Sequence, residues 1–338
     1  MGIFRRPRET PSPSLPAISE FWEWFGQARA RIEAQLADGL STDLAEEFAH
    51  RIYKIHPGLQ WDLGQRPVLT VTGGGVAELR GLSERWLRAA PPAPGWTFHA
   101  ARQPDLAKLN EKLVLGEHEF DLNYVRLGMR ADPGRARIHL TAYHPDFLFV
   151  DEETQLQVAL HILDWALGED DVARWVGEVK LAIEPPIDAL PPATLAAVVD
   201  QVAEPFRRPQ WLTGEGRTPR GHPAGVTARF PLHRQDYPLC DLHVELSVPY
   251  AHSNPDRLPV EPSASALRKL EKRLDGLRGA VLAARVTGDG LRVFHLYADA
   301  DSGVLAELDQ LAAGWGEGKA KVATAPDPAW RALTPFQL

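Results

Sequence analysis

The amino-acid sequence predicts an α+β protein of two domains, and three observations support this prediction. Residues 239–338 contain, in order, a strand, a helix, two strands, a helix and a strand, which is the layout of a ferredoxin-like βαββαβ domain. Residues 17–206 mix helices with strands that are joined by tight turns, as in a largely antiparallel sheet. The chain has 338 residues, which is long enough for two domains.

Composition and charge favour a folded cytoplasmic protein. Hydrophobic residues make up 44% and charged residues 24% of the chain, which is ordinary for a globular protein. The formal net charge of −8 disfavours nucleic acid as a partner. No apolar run approaches the ~20 residues of a membrane span, and no apolar segment follows the basic N-terminus. The single cysteine, Cys240, excludes an intramolecular disulfide, so we expect a reducing compartment and a small buried thiol.

Two helices are predicted after a Pro- and Ser-rich segment, residues 1–16, which is expected to be a flexible tail. Gly39 is predicted to end the first helix, and Thr42 to cap the second. Trp22 lies off the apolar stripe of the first helix and is expected at the surface. The stripe itself has helical spacing and is interpreted as core: Phe21, Trp24, Phe25, Ala28, Ile32 and Leu36.

A glycine-rich turn separates a strand predicted at 68–72 from a helix predicted at 76–89. Backbone N–H groups at a helix N-terminus can bind an anion, so Gly73, Gly74 and Gly75 form a candidate anion site. The segment has neither the Lys-Ser/Thr pair of a P-loop nor the spacing of a dinucleotide fingerprint. A purely structural turn is therefore the favoured interpretation.

Alternating residues at 120–127 and 137–143 predict a hairpin around the turn Asp132-Pro133-Gly134. A helix is predicted at 153–167, with Leu156 and Leu160 among the residues that face the core. The histidines and aspartates around the hairpin match no spacing of metal ligands, and no metal is predicted from them: His118, His139, His144, Asp121 and Asp146.

Residues 207–238 are rich in Gly, Pro and Arg and are predicted to connect the two domains. Their arginines, with Trp211 and Phe230 between them, would also suit a nucleic-acid contact, but the acidic charge of the whole chain favours a solvated connection. Gly288-Asp289-Gly290 is a hairpin turn within the C-terminal domain. The strands of that domain are predicted at 241–248, 279–287, 291–298 and 320–324, and its helices at 264–277 and 304–313.

Ionisable side chains at every second position of the first C-terminal strand form the candidate site. Asp241, His243 and Glu245 share one face of this strand, because successive side chains point to opposite faces. His295 joins them if the register of the adjacent strand places it on the same face. Two carboxylates would favour the protonated form of His243, and the cluster could act as a base or a metal ligand. The alternative is a sheet face that is solvated or packed, which we favour.

A resemblance to a known family rests on short motifs between Leu270 and Phe336. They are a leucine-rich charged helix, a hairpin turn, a strand end and a tail: Leu267 to Leu274, Thr287-Gly288-Asp289-Gly290, Phe294-His295-Leu296-Tyr297 and Asp327-Pro328-Ala329-Trp330. This segment resembles a bacterial domain family of unknown function, family 695, which is related to the regulator of ribonuclease E activity B. The N-terminal part resembles an uncharacterised bacterial domain found beside it, in Phe21-Trp22-Glu23-Trp24-Phe25, Gly95-Trp96 and Leu167-Gly168-Glu169.

The resemblance implies a role in protein contact, because the ribonuclease regulator acts in that way, and it implies no catalytic residues. We therefore expect a protein-binding or regulatory module without catalysis, with a protein partner, no cofactor and no membrane contact. One alternative is a hydrolase or metal-dependent enzyme that uses Asp241, His243 and Glu245. Another is an immunity or stress-related protein. The sequence gives neither the partner nor the oligomeric state.

Overall fold

A computed structural model of the protein describes residues 14–37, 41–64 and 67–336. Helices and sheets alternate along these residues, which confirms the α+β class. The chain forms two compact units, one that ends at Arg102 and one that begins at Gln103. Residues 1–13 of the predicted tail, and Gly39, lie outside the described residues, whereas residues 14–16 are already helical. Among the helices in the described ranges, none has the length and apolarity to cross a bilayer.

The first unit consists of helices packed on a small mixed sheet. Its elements are α1 (Ser14–Ala37), α2 (Thr42–Ile55), β1 (Gln60–Leu63), β2 (Val68–Thr72), α3 (Ala77–Arg88) and β3 (Thr97–His99). The central strand, β2, is antiparallel to β1 and parallel to β3. The cap of α2 is Ser41, not Thr42, because the Ser41 hydroxyl accepts the N–H of Leu44 at 3.3 Å.

Aromatic rings fill the core of the first unit. Trp22, expected at the surface, is 6% exposed, so that expectation is wrong. Its ring stacks on Trp86 with centroids 4.8 Å apart, and its Nε1 donates a hydrogen bond to the Trp86 carbonyl at 2.8 Å. The reason is that α1 packs against both α2 and α3. A helix with two packed neighbours buries more than one apolar stripe.

The second unit begins with two hairpins and three helices. Its elements up to residue 206 are β4 (Lys112–Leu115), β5 (His118–Asp121), β6 (Arg126–Asp132), β7 (Arg137–Tyr143), α4 (Glu152–Leu167), α5 (Glu169–Trp175), β8 (Val176–Ala182) and α6 (Leu195–Ala203). The predicted hairpin is β6–β7, and β8 pairs with β7 in parallel. The single strand expected at 120–127 is instead interrupted by a 3-10 turn at Leu122–Tyr124.

Helix α4 buries part of the predicted face, Ala159, Leu163 and Leu167, but not its two other leucines. Leu156 and Leu160 are 40% and 46% exposed. The buried residues are Val158, Ala159, Ile162, Leu163, Ala166 and Leu167. Apolar side chains surround most of this helix, so their spacing did not determine which side faces the core.

The second unit continues with a six-stranded antiparallel sheet and two helices. Its elements are β9 (Gln210–Arg217), β10 (Pro223–Phe230), β11 (Leu242–Pro249), α7 (Ser263–Asp275), β12 (Ala280–Gly288), β13 (Leu291–Ala298), α8 (Val304–Ala313) and β14 (Lys321–Pro326). The strand order is β14–β11–β13–β12–β10–β9, and all neighbours are antiparallel.

The residues expected to connect two domains form part of this sheet. Strands β9 and β10 make a hairpin within 207–238, and β10 pairs with β12. Residues 103–206 also belong to the second compact unit, whereas the sequence placed them in the N-terminal domain. The hairpin gave no alternating pattern because nearly every side chain of β9 is exposed, so no polar and apolar faces are distinguished.

The two faces of the six-stranded sheet are covered in different ways. Helices α7 and α8 pack on one face, where Val244, Leu246 and Phe294 are fully buried. On the other face, a second cluster contains Cys240, Tyr297, Trp330, Leu333 and their neighbours. The C-terminal segment after β14 therefore covers the face to which the candidate site was assigned.

Candidate functional site

The register of β11 and β13 brings most of the predicted cluster together. Glu245 lies directly opposite His295, and His243 lies opposite Tyr297. All four side chains project from the face opposite α7 and α8, because the alternate residues Val244 and Leu246 belong to the core beneath those helices. His295 therefore shares the predicted face, which the sequence had left open.

The two histidines form a direct pair. His243 Nε2 and His295 Nδ1 are 3.2 Å apart, so one nitrogen donates a hydrogen bond and the other accepts it. Their rings are nearly parallel, with centroids 5.4 Å apart and an interplanar angle of 9°. Both rings are half-buried. The pair is a fixed polar group in a mostly apolar layer.

The carboxylates near this pair differ from those predicted. The negative charges that act on His243 are those of Asp327 and Glu245. Asp241 lies before the first residue of β11, and its backbone carbonyl accepts the N–H of Asp327 at 2.8 Å. Glu245 accepts a hydrogen bond from the Ser247 hydroxyl at 3.2 Å. The charges that act on His243 thus come from Glu245 of the predicted set and from Asp327.

Asp327 is the residue that sequence reasoning missed. Its carboxylate accepts the Tyr297 hydroxyl at 2.5 Å and the N–H groups of Arg331 and Ala332 at 2.9 and 2.8 Å. Burial opposes ionisation, but these donors hold the pKa of Asp327 below its ordinary value. The signal in the sequence was Asp327-Pro328, a pair typical of a turn whose aspartate accepts later backbone N–H groups.

Aromatic side chains of the C-terminal segment cover the site. The Phe336 ring lies 4.9 Å from His295, and the Trp330 ring stacks on Tyr297 at 4.3 Å. Trp330 is buried, and its Nε1 donates to the Cys240 carbonyl at 2.6 Å. These contacts hold the segment on the sheet and limit the access of water to the histidines.

Burial reverses the expected protonation of the histidines. It lowers the pKa of His243 even though the charges of Asp327 and Glu245 act to raise it. Burial, with the neighbouring His243, also lowers the pKa of His295 to about 4. The expectation that the protonated form of His243 is favoured is therefore wrong. At neutral pH the pair consists of two neutral imidazoles, which can donate and accept hydrogen bonds.

The thiol of Cys240 is buried, as the sequence predicts. Burial is the main cause that raises the pKa of this thiol to about 11. Its sulfur lies 3.8 Å from the Gly279 carbonyl oxygen, to which it donates. A thiol that stays protonated is a poor nucleophile, so this residue has the features of a packing side chain.

The glycine-rich turn has the geometry of a tight connection between β2 and α3. Gly74 has a φ of +61°, and a Cβ there would lie 2.6 Å from the Gln60 side chain. Its N–H donates to the Thr72 hydroxyl at 3.1 Å, and the Val76 N–H donates to the Gly73 carbonyl at 3.2 Å. Two of the N–H groups that would hold an anion are therefore used inside the turn.

The histidines of β7 and the following turn hold local structure. His144 contacts the Asp121 carbonyl through Nε2 at 2.9 Å and accepts the Asp146 N–H through Nδ1 at 3.1 Å. His139 Nε2 lies 3.5 Å from Asp132. Within residues 14–37, 41–64 and 67–336, no three His, Cys, Asp or Glu side chains are grouped to hold a metal ion.

An exposed edge strand is a second feature that the sequence did not reveal. Strand β9 lies at one end of the sheet and, within the described chain, pairs only with β10. Gly214 and Gly216 have open space where a Cβ would stand, so the face of the strand is uncovered there. Glycines weaken the sequence signal of a strand and also leave its backbone uncovered.

One family model matches the C-terminal part of the chain. Residues 218–337 match the model of a family of unknown function (DUF695). This confirms the resemblance stated for Leu270 to Phe336 and extends it back through β10. The matched residues contain the histidine pair and Asp327, whereas β9 lies before them. No curated protein and no solved structure matches the chain significantly.

Proposed function

We propose that this protein is a binding module that captures an extended segment of a partner protein along the free edge of β9. The observation that carries the proposal is the accessibility of that edge. A strand at the end of a sheet presents unpaired N–H and C=O groups, and a second chain can pair with them as an additional strand. Main-chain hydrogen bonds then supply the affinity.

The hydrogen-bond pattern identifies which groups of β9 point outward. The Thr218 N–H donates to the His222 carbonyl at 2.9 Å at the end of the hairpin. Hydrogen-bonded and non-hydrogen-bonded pairs alternate in an antiparallel ladder, so Gly216 and Gly214 bond to β10. Thr213 and Glu215 then direct their main-chain groups to the free edge. The 3.4 Å separation of the Thr213 and Thr227 hydroxyls supports this, because side chains are closest in non-hydrogen-bonded pairs.

The edge strand β9 lacks the usual protection against pairing. Proteins protect edges with proline, lysine, bulges or very short strands. Strand β14, at the other edge, has six residues and contains Lys321 and Pro326. Strand β9 has eight residues, contains neither proline nor lysine, and keeps a continuous register with β10. The contrast favours β9 as the edge where a partner binds.

The half-exposed aromatic residue of β9 adds a possible anchor. Trp211 is 37% exposed. The guanidinium groups of Arg229 and Arg285 lie over its ring at 5.0 and 5.9 Å. Tryptophan and arginine are enriched among the residues that dominate binding energy in protein interfaces. A side chain of the added strand would contact this group.

We also infer that residues 239–338 form a ferredoxin-like module to which β9 and β10 are added. The spatial order β14–β11–β13–β12 supports this. Its two central strands, β11 and β13, are the first and third of the four strands in chain order. The position of α7 and α8 beneath a single face supports it too. In this arrangement the hairpin β9–β10 is added next to β12, and β9 forms the free edge of the sheet.

A pair of substitutions at one position tests the binding proposal. Glu215→Pro removes an outward N–H, whereas Glu215→Ala removes only the side chain. We expect a tagged wild-type chain and Glu215→Ala to retain the same stoichiometric protein partner from a lysate of the source organism. We expect Glu215→Pro to bind the purified partner at least about tenfold more weakly, since a hydrogen bond on an edge is lost and the strand is blocked.

Hydrogen exchange supplies the direct readout. Binding along β9 should slow the exchange of the Thr213 and Glu215 amides in the wild-type chain. The proposal is overturned if Glu215→Pro keeps the wild-type affinity, or if the partner protects other amides and leaves these two unchanged. Thermal melting of the three chains shows that the substitution has not unfolded the sheet.

A further inference from the structure

A cavity of about 330 Å³ lies in the second unit between the start of β7 and the face of the six-stranded sheet that carries the C-terminal segment. It is distinct from the β9 edge. Its apolar walls come from Phe230, Leu232, Leu333 and Phe336. The volume is at the lower end of those that hold small molecules in proteins.

The ionisable side chains of the cavity are all basic. Arg135, Arg137, Arg229 and His233 contribute to its lining, and none of the described residues that line it is Asp or Glu. This local excess of positive charge is opposite in sign to the net charge of the whole chain, −8. Arginine presents a planar set of donors that matches a carboxylate.

Two of these basic residues have unused buried donors or acceptors. His233 is 9% exposed, and none of the described residues hydrogen-bonds its buried Nε2. The buried Nε of Arg229 likewise has no hydrogen-bond partner among the described residues, although another nitrogen of this guanidinium pairs with Asp275. Buried polar atoms without partners are rare in folded proteins, and a bound ligand is one explanation.

Fixed neighbours hold two of the basic residues, Arg137 and His233, in place. The Arg137 guanidinium donates to the carbonyls of Ala173 and Arg174. The His233 ring packs edge-on against Trp175 with centroids 4.8 Å apart. These residues are therefore arranged before any ligand binds, which lowers the entropic cost of binding.

A β-bulge shapes the wall formed by the sheet. The pairing of β12 with β13 shifts register between Leu282 and Ala284, and Ala283 is the extra residue. Ala283 lines the cavity, with Ala228 of the neighbouring strand beside it. Bulges are frequent next to binding sites, where they re-aim side chains. Two small side chains at this wall leave room for an apolar group.

We propose that this cavity binds a small organic carboxylate with an apolar body. The carboxylate would accept hydrogen bonds from Arg135 and His233, and the apolar body would contact Phe230 and Phe336. Arg137 supplies further positive charge. The carboxylate would provide a partner for His233 Nε2, which in the free protein has none among the described residues.

Calorimetric titration of the full chain with three probes tests the proposal. Phenylacetate has both the anion and the apolar ring, phenylacetamide has the same shape without the charge, and inorganic phosphate has the charge without the ring. We expect saturable binding of phenylacetate at millimolar concentration or below. Binding of the other two should be at least about tenfold weaker.

Two variants and a control locate the site. Arg135→Gln removes an exposed charge, and His233→Phe removes the Nε2 while keeping a ring; each should weaken phenylacetate binding roughly tenfold. His233→Phe should also leave the thermal midpoint unchanged or raise it, because a buried atom without a partner is removed. Arg208→Gln, an exposed arginine outside the lining, should bind like the wild type.

Three results would each overturn the proposal. The first is the absence of saturable phenylacetate binding, and the second is equal binding of phenylacetate and phenylacetamide. The third is wild-type affinity in both Arg135→Gln and His233→Phe. Glu215→Pro should bind phenylacetate normally, so this experiment and the test of the β9 edge fail independently.

Discussion

Burial decides the behaviour of single residues in the six-stranded sheet more than neighbouring charge does. Two carboxylates act on His243, yet burial keeps its pKa lowered. The same cause, with His243 beside it, lowers the pKa of His295 to about 4. A histidine with a lowered pKa in the folded state binds a proton more readily after unfolding. Acid therefore favours the unfolded chain.

The free energy of unfolding should consequently decrease as the pH is lowered through a defined window. The contribution of His295 is fully present above the ordinary histidine pKa of 6.5 and is lost as the pH falls towards about 4. Each proton that binds to the unfolded chain but not to the folded one changes the free energy of unfolding by at most about 1.4 kcal/mol per pH unit. We expect the urea midpoint of the wild type to fall between pH 7 and pH 5, and that of His295→Gln to fall less.

His118→Gln, a change at an exposed histidine of β5, is the matched control for that measurement. It should follow the wild-type dependence on pH. An equal loss of stability in wild type and His295→Gln over this window would show that the histidine pair does not contribute to it.

At the scale of elements, the helix α4 shows how packing selects one face of an apolar helix. Its exposed leucines, Leu156 and Leu160, would be core residues by spacing alone. The buried face instead contains Val158, Ile162 and Ala166, which pack on the sheet of β6, β7 and β8. Removal of these apolar side chains from water stabilises the folded state.

Substitutions on the two faces of α4 should differ sharply in their effect on the free energy of unfolding. Leu160→Gln should change it by about 0.5 kcal/mol or less, because the side chain is 46% exposed. Ile162→Ala should lower it by about 2–5 kcal/mol, because a fully buried side chain is truncated. Chemical denaturation of both variants measures the difference. A larger cost for Leu160→Gln than for Ile162→Ala would contradict the observed face.

The sequence predicted an element well where the element has one polar and one apolar face. It predicted elements poorly where both faces are apolar or both are polar. Strand β11 alternated clearly, and its register with β13, which the sequence left open, places His243 and His295 on one face. Strand β9 is exposed on both sides and was missed. Asp327 joins the site from a segment that lies far from His243 along the chain. Such contacts depend on topology, which local patterns do not encode.

At the scale of the whole molecule, the second compact unit is larger than the predicted C-terminal domain. Trp175 packs against His233, and Arg174 pairs with Asp236 at 3.0 Å. These contacts join the α4–α5 region to the segment before β11. Residues 103–206 therefore support the sheet that follows, although they differ from it in architecture.

Fragments that begin at the two alternative boundaries, residues 103 and 207, should differ in stability. A fragment of residues 103–338 should unfold in one cooperative transition and keep its near-ultraviolet circular dichroism, because the unit is compact by itself. A fragment of residues 207–338 loses Trp175 and Arg174 and should melt at a lower temperature. Equal melting temperatures for the two fragments would show that residues 103–206 contribute nothing to the stability of the sheet.

The buried position of Cys240 makes the chain convenient for spectroscopy. The thiolate is the form of cysteine that attacks labelling reagents, and the only sulfhydryl of this chain is both enclosed and protonated at neutral pH. A cysteine introduced on β9 would accordingly take up a fluorophore or spin label selectively, without removal of the native residue. Distances and mobilities at the edge strand are thus measurable on an otherwise unaltered molecule.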